Sequence, residues 1–249
     1  MISLTTHLGL IFAEKSPRKV ASISEAQSVV QAVQKYGERT APLSLETELS
    51  HLRADQLTSK AWFSRSAKLL EKITLRRPLV VGVFQDQDLA EVNRIAREAG
   101  LDLIQLHGRE TVEYISKLEL PCIKVVHIPA PVMTADALDV EATSLSLLQE
   151  KMEAFAGHAV AVILDTSVRG DASGGTGITF DWSLATKLDS SVILAGGLKS
   201  ENVEDAARVE GVVGLDVSSG VEVAGSPGVK DPLLVEAFLK KARLVKTKT

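Results

Sequence analysis

The stretch VILDTSVRGDASGGTG, residues 162–177, sets one carboxylate, Asp165, at the end of an apolar run and follows it with a glycine-rich loop. A carboxylate in that place points into the mouth of a sheet, where partial burial favours the protonated form that a proton donor needs. The competing reading is a cap that ties down the strand end, and local sequence leaves both open. Two later apolar runs end in ILAGGL (193–198) and DVSSGVE (216–222). Glycines admit an anion close to backbone amides, and serine hydroxyls add hydrogen bonds. Gly196, Gly197, Asp216, Ser218, Ser219 and Gly220 are therefore a candidate phosphate cradle. One such corner alone would be a tight turn. Two on consecutive strands are more specific.

Four further positions bear on chemistry. Arg18, in Ser16-Pro17-Arg18 after the first apolar run, can clamp a carboxylate or phosphate bidentately, or lie solvated. His107 ends LDLIQLHG and offers a second polar contact, or a structural one. Cys122, the only cysteine, lies inside PCIKVV and reads as a buried, inert thiol. Lys124, two residues on, is the one strand-end lysine that a Schiff-base mechanism could use. Residues 173–177, SGGTG, could cover a bound ligand.

These residues need elements to position them. Seven short runs rich in Val, Ile and Leu recur at 7–13, 79–84, 101–106, 122–127, 158–165, 191–197 and 211–217. Their continuity marks strands buried on both faces, as in parallel sheets. Helical patterns separate them. Ser22 and Glu25 form a capping box ahead of Ala26, Val29, Val30 and Val33. Leu89 to Ala99 repeats the periodicity and stops at Gly100, and Ser200 is the expected cap of a helix carrying Val203 and Ala206. Asp231-Pro232 opens the last helix, with proline at its favoured first position. Strand–helix alternation implies parallel strands with right-handed crossovers. The glycine corners follow the last strands rather than the first, which favours a (β/α)8 TIM barrel over an open doubly wound sheet. Seven strands are legible where eight close a barrel. The chain of 249 residues suits one barrel domain over residues 1–249, with a peripheral insertion at about 38–78.

Composition narrows the function classes. Hydrophobic residues make up 45% and charged residues 24%, and the net charge is −4. That balance gives no pull toward nucleic acid or an anionic membrane. A single cysteine excludes an internal disulfide framework and a cysteine metal site. No apolar run reaches the length of a membrane span, and the start lacks a secretory pattern, so a cytoplasmic protein is expected.

Taken together, FAEKSPRKV, VGVFQDQ, LIQLHGRE, ILDT followed by GGTG and FDW, LAGGLKSENV and GLDVSSGVE with GVKD resemble the phosphoribosylanthranilate isomerase family of tryptophan biosynthesis. The likeness covers roughly residues 8–36 and 79–240, and the long insertion resembles that of fungal forms, which are often fused to other tryptophan-pathway domains. It implies an Amadori rearrangement of N-(5-phosphoribosyl)anthranilate to the 1-deoxyribulose 5-phosphate. Asp165 matches the family's general acid, Arg18 the arginine at the anthranilate end, His107 the supporting histidine, and the two glycine corners the phosphate cradle. The implied partner is a phosphorylated small molecule, with no metal or organic cofactor.

One part of the family pattern is not found. Its first strand, roughly K-[IV]-C-G, carries the general-base cysteine, whereas this chain opens at what matches the second strand. The expectation is therefore a truncated product or a misplaced start codon. Loss of a general base typically removes ~10²–10⁴-fold in rate. A non-catalytic barrel that binds a phosphorylated ligand is thus the first competing reading, and a Schiff-base aldolase or isomerase using Lys124 is the second.

Overall fold

The computed structural model describes residues 7–37, 45–75, 77–129, 137–167 and 179–246. Seven strands follow one another in sheet order, as expected for strands joined by helical crossovers: β1 (His7–Ile11), β2 (Leu79–Phe84), β3 (Leu103–Leu106), β4 (Cys122–Pro129), β5 (Ala159–Ser167), β6 (Val192–Leu194) and β7 (Val212–Leu215). The helices are α1 (Ile23–Tyr36), α2 (Leu45–Ala54), α3 (Ser59–Thr74), α4 (Leu89–Ala99), α5 (Val112–Ile115), α6 (Ala137–Phe155), α7 (Val203–Arg208) and α8 (Pro232–Lys246). The chain divides into two compact units, one of residues 1–125 with 156–161 and the other of 126–155 with 162–249.

In the first unit β1, β2, β3 and β4 pair in parallel, with Leu8 beside Val80, Gly82 beside Ile104 and Ile104 beside Cys122. The continuous apolar runs are explained by burial: Leu79, Val80, Val81 and Phe84 are all enclosed, as are Leu103, Ile104 and Leu106. Phe12 and Phe84 stack with ring centroids 5.2 Å apart at the ends of their strands. Helix α1 starts as the capping box requires, Ser22 accepting from the Glu25 amide. The reciprocal bond lands one residue further out, Glu25 accepting from the Ala21 amide at 2.7 Å. Asp88 caps α4 through the amides of Ala90 and Glu91. Within residues 38–78 the chain forms α2 and α3. Trp62 and Phe63 are almost wholly enclosed, and the Trp62 indole donates to the Ala159 carbonyl at 2.6 Å.

In the second unit β5 pairs with β6, and β6 with β7, again in parallel. Ser200 does not cap the following helix, as the sequence led one to expect. Helix α7 begins after Asn202, and that side chain turns back instead, accepting from the Lys199 amide and donating to the Gly197 carbonyl. The Ser200 hydroxyl donates to Glu201. Asp231 opens α8 as expected, accepting from the Leu233 and Leu234 amides.

His7, at the head of β1, gives the fold a pH dependence. Burial pushes its pKa down to about 4, against a smaller upward pull from Asp102. The unfolded chain binds a proton near pH 6.5 that the folded chain refuses, so stability is full above that pH and falls as pH drops toward 4. Part of the residue's surface stays in solvent, so the loss is on the order of 2 kcal/mol. Urea midpoints measured from pH 7 to 4 should fall across that window, and His7→Gln should flatten the fall.

Candidate active site

Asp165 lies near the C-terminal end of β5 and is enclosed, 6% exposed, with Thr166 beside it at 4%. The backbone just past β6 bonds the residue before Asp165, Ala195 donating to the Leu164 carbonyl at 2.8 Å. The chain then turns at Gly196 and Gly197, with φ of 78° and 63°. A methyl on Gly196 would stand 2.5 Å from the Thr166 hydroxyl and 2.8 Å from a carboxylate oxygen of Asp165. Only a residue without Cβ brings this backbone corner so close to the acid, and the left-handed φ requires the same choice. Asp165 and the Gly196 corner are therefore immediate neighbours.

The second corner packs against the first. Asp216 follows β7, its amide donating to the Leu194 carbonyl at 2.8 Å. Ser218 leads into a single turn at Ser219–Val221. A methyl on Gly220 would fall 1.9 Å from the Leu198 carbonyl oxygen and 3.2 Å from the Lys199 Cα, so the two corners touch through bare backbone. Sequence reading missed the cation that attends them. Lys230, in GVKD, donates from its ammonium to the Ser218 carbonyl and to Glu222, both at 2.9 Å. The signal was present only as a lysine in the loop before α8, with nothing local to say that the chain folds back on the serines.

Arg18 and His107 belong to the other unit. Arg18 sits half-buried in the turn after β1, its amide donating to the Ser16 hydroxyl at 3.2 Å. His107 follows β3, its amide donating to the Phe84 carbonyl at 2.8 Å. Both therefore stand at the C-terminal ends of their strands, where barrel enzymes carry chemistry. The SGGTG segment, 173–177, lies outside the described residues, as does the chain start at 1–6.

Cys122 is the buried thiol that its strand position suggested, and burial pushes its pKa up to about 12, the nearby Lys124 ammonium pulling weakly the other way. It does not form a thiolate at neutral pH and is no stand-in for a general-base cysteine. Lys124 is equally unsuited to a Schiff base. Its ammonium is enclosed and donates to the Leu106 and Gly108 carbonyls and to Glu110, so no lone pair faces a substrate carbonyl. No cluster of metal-binding side chains occurs among the described residues, and no described helix is long and apolar enough to cross a membrane.

The acid near the end of β5 thus lies beside the corner after β6, which in turn abuts the turn after β7. The model of the N-(5'-phosphoribosyl)anthranilate isomerase family matches residues 40–241. The chain belongs to this family. The tryptophan biosynthesis protein TRP1 of Phytophthora nicotianae is 44% identical over 240 residues, covering 95% of this chain and 42% of that protein. An N-(5'-phosphoribosyl)anthranilate isomerase of Wickerhamomyces anomalus is 30% identical, covering 94% of this chain and 89% of its own length. The isomerase structure from Thermotoga maritima aligns with a TM-score of 0.63 at 23% identity, over 97% of this chain and 89% of that one, which shows the barrel fold. The chain spans less than half the length of several curated relatives, 30% and 26% for the multifunctional tryptophan biosynthesis proteins of Phycomyces blakesleeanus and Schizosaccharomyces pombe.

Proposed function

We propose that the chain carries the isomerase function of its family, converting N-(5-phosphoribosyl)anthranilate to 1-(2-carboxyphenylamino)-1-deoxyribulose 5-phosphate. The observation that carries this reading is the packing of Asp165 against the Gly196 corner, which itself abuts Gly220. Phosphate binds at the amides of 196–197 and 218–220, with Ser218 and Ser219 hydroxyls and the Lys230 ammonium contributing. Asp165 gives its proton to the ribose ring oxygen, the C1–oxygen bond breaks, and the nitrogen lone pair forms the imine. A base then takes the proton from C2, and the enamine so formed tautomerises to the ketone. Arg18 contacts the anthranilate end, and His107 is a supporting polar contact to the ligand. The acid half of this chemistry resides in Asp165. The base has no candidate in Cys122, whose thiol stays protonated.

The protein is cytoplasmic in this reading, one barrel domain over 1–249 whose insertion at 38–78 is peripheral to the reaction. Neighbouring tryptophan-pathway domains are its natural partners, since relatives are named as multifunctional. One solved isomerase, TM-score 0.60, holds reduced 1-(o-carboxyphenylamino)-1-deoxyribulose 5-phosphate, and that compound supplies the test. Purified chain should bind it, inorganic phosphate should compete, and the fluorescence of phosphoribosylanthranilate should decay on addition of the protein. Binding without any decay would support the non-catalytic barrel instead. Neither binding nor decay would overturn both.

A further inference from the structure

The buried pair Lys124–Glu110 is used by none of the chemistry above, yet its side chains are only 4% and 3% exposed. Such pairs are weak sources of stability, because desolvating both charges offsets most of their attraction. A purely structural role would be served as well by two apolar residues. What apolar residues could not do is grip backbone, and every other bond of this pair goes to backbone at the end of β3 or in the loops after β2 and β3.

Lys124, on β4, donates to the Leu106 carbonyl at 3.2 Å and the Gly108 carbonyl at 2.7 Å, the residues on either side of His107. Its third proton goes to Glu110 at 2.9 Å. Glu110 in turn accepts from the Gly108 amide at 3.1 Å and the Asp86 amide at 2.8 Å. Asp86 closes the ring, accepting from the Arg109 amide at 2.7 Å. It does so in a left-handed conformation, φ 52°, that a non-glycine residue holds only when its surroundings impose it. Gly108 has no room for a side chain, since a methyl there would meet Asp86 at 2.5–2.7 Å. The loops after β2 and β3 are thus stitched into one body, with His107 at its centre.

We propose that Lys124 and Glu110 are positioning residues for His107, fixing the backbone on both sides of the imidazole so that it meets the phosphorylated ligand in one orientation. The inference rests on the proposed function, in which His107 touches the ligand. It makes the lysine in β4 and the glutamate of QLHGRE a single device.

The test is a thermodynamic cycle read in the dissociation constant of the reduced product analogue. Lys124→Met with Glu110→Gln removes both charges and keeps volume, so the chain should fold. A loss of ordering at His107 should weaken binding about ten- to a hundredfold. His107→Ala should weaken it by a similar factor, and the triple variant should bind no worse than His107→Ala alone, because the clamp acts only through that ring. Additive losses would overturn the proposal, and so would unchanged binding in the folded double variant. If the double variant fails to fold, Glu110→Gln alone, which keeps one oxygen to accept from a backbone amide and gives up the other, carries the same cycle. A His107→Ala variant that binds like the parent overturns the positioning role and leaves the isomerase reading standing. A parent chain that does not bind the analogue overturns that reading and the role together.

Discussion

Asp165→Asn should leave the analogue's dissociation constant within a few-fold of the parent and lower kcat by about 10²–10⁴-fold. The substitution keeps the volume of an enclosed side chain, exchanges one carboxyl oxygen for an NH2 group and removes its ability to deliver a proton. Asp165 is enclosed near a strand end, with a carboxylate oxygen beside the Gly196 corner, rather than on a free loop, so the amide should occupy the carboxyl's place. Ring opening at neutral pH demands a proton on the leaving oxygen, and an amide supplies none. The measurement is fluorescence decay of phosphoribosylanthranilate beside a binding titration of the reduced analogue. A variant that keeps full turnover would remove Asp165 from the reaction. A variant that loses binding as well as turnover would make it a cap for the strand end, the competing reading of the sequence.

The distribution of what sequence showed and did not show has a physical basis. Strands β2 to β6 were legible because most of their residues are enclosed, and enclosure writes itself as an unbroken Val, Ile and Leu run; β1 and β7 kept the apolar run although they are only half-buried. Their ends were less so. The run 191–197 yields strand only at Val192–Leu194, because Gly196 and Gly197 adopt positive φ and the chain must turn there. The cap of α7 was misplaced for a related reason: Asn202 spends its amide on the GG turn, and such a bond depends on how the turn folds back. Asp165 and the two corners were visible as types in order along the chain. Their contact, with Gly220 against the Leu198 carbonyl, was not. Lys124 is the clearest case. An ammonium in an apolar strand must have partners when buried, so the existence of a partner was legible. That Glu110 is that partner is a fact of tertiary structure. The same limit hid Lys230 and the left-handed Asp86.

Gly220→Ala should do more damage than any other single-methyl change at the corners. A Cβ there would lie 1.9 Å from the Leu198 carbonyl oxygen and 3.0 Å from its carbon, contacts with main chain rather than with a side chain that could swing aside. The corner after β6 or the turn after β7 must move, at a cost of about 3 kcal/mol. Movement there separates the amides of 196–197 from those of 218–220, and a cradle that works by convergence of amides loses its ligand before the protein loses its fold. The expectation is therefore a melting temperature lowered by several degrees together with loss of competition by inorganic phosphate at temperatures where the variant is still folded. Gly9→Ala serves as the control, since its methyl would meet nothing closer than Val83 at an ordinary 3.7 Å. Phosphate competition surviving in a folded Gly220→Ala variant would show that the anion is held elsewhere, and the assignment of both corners would go with it.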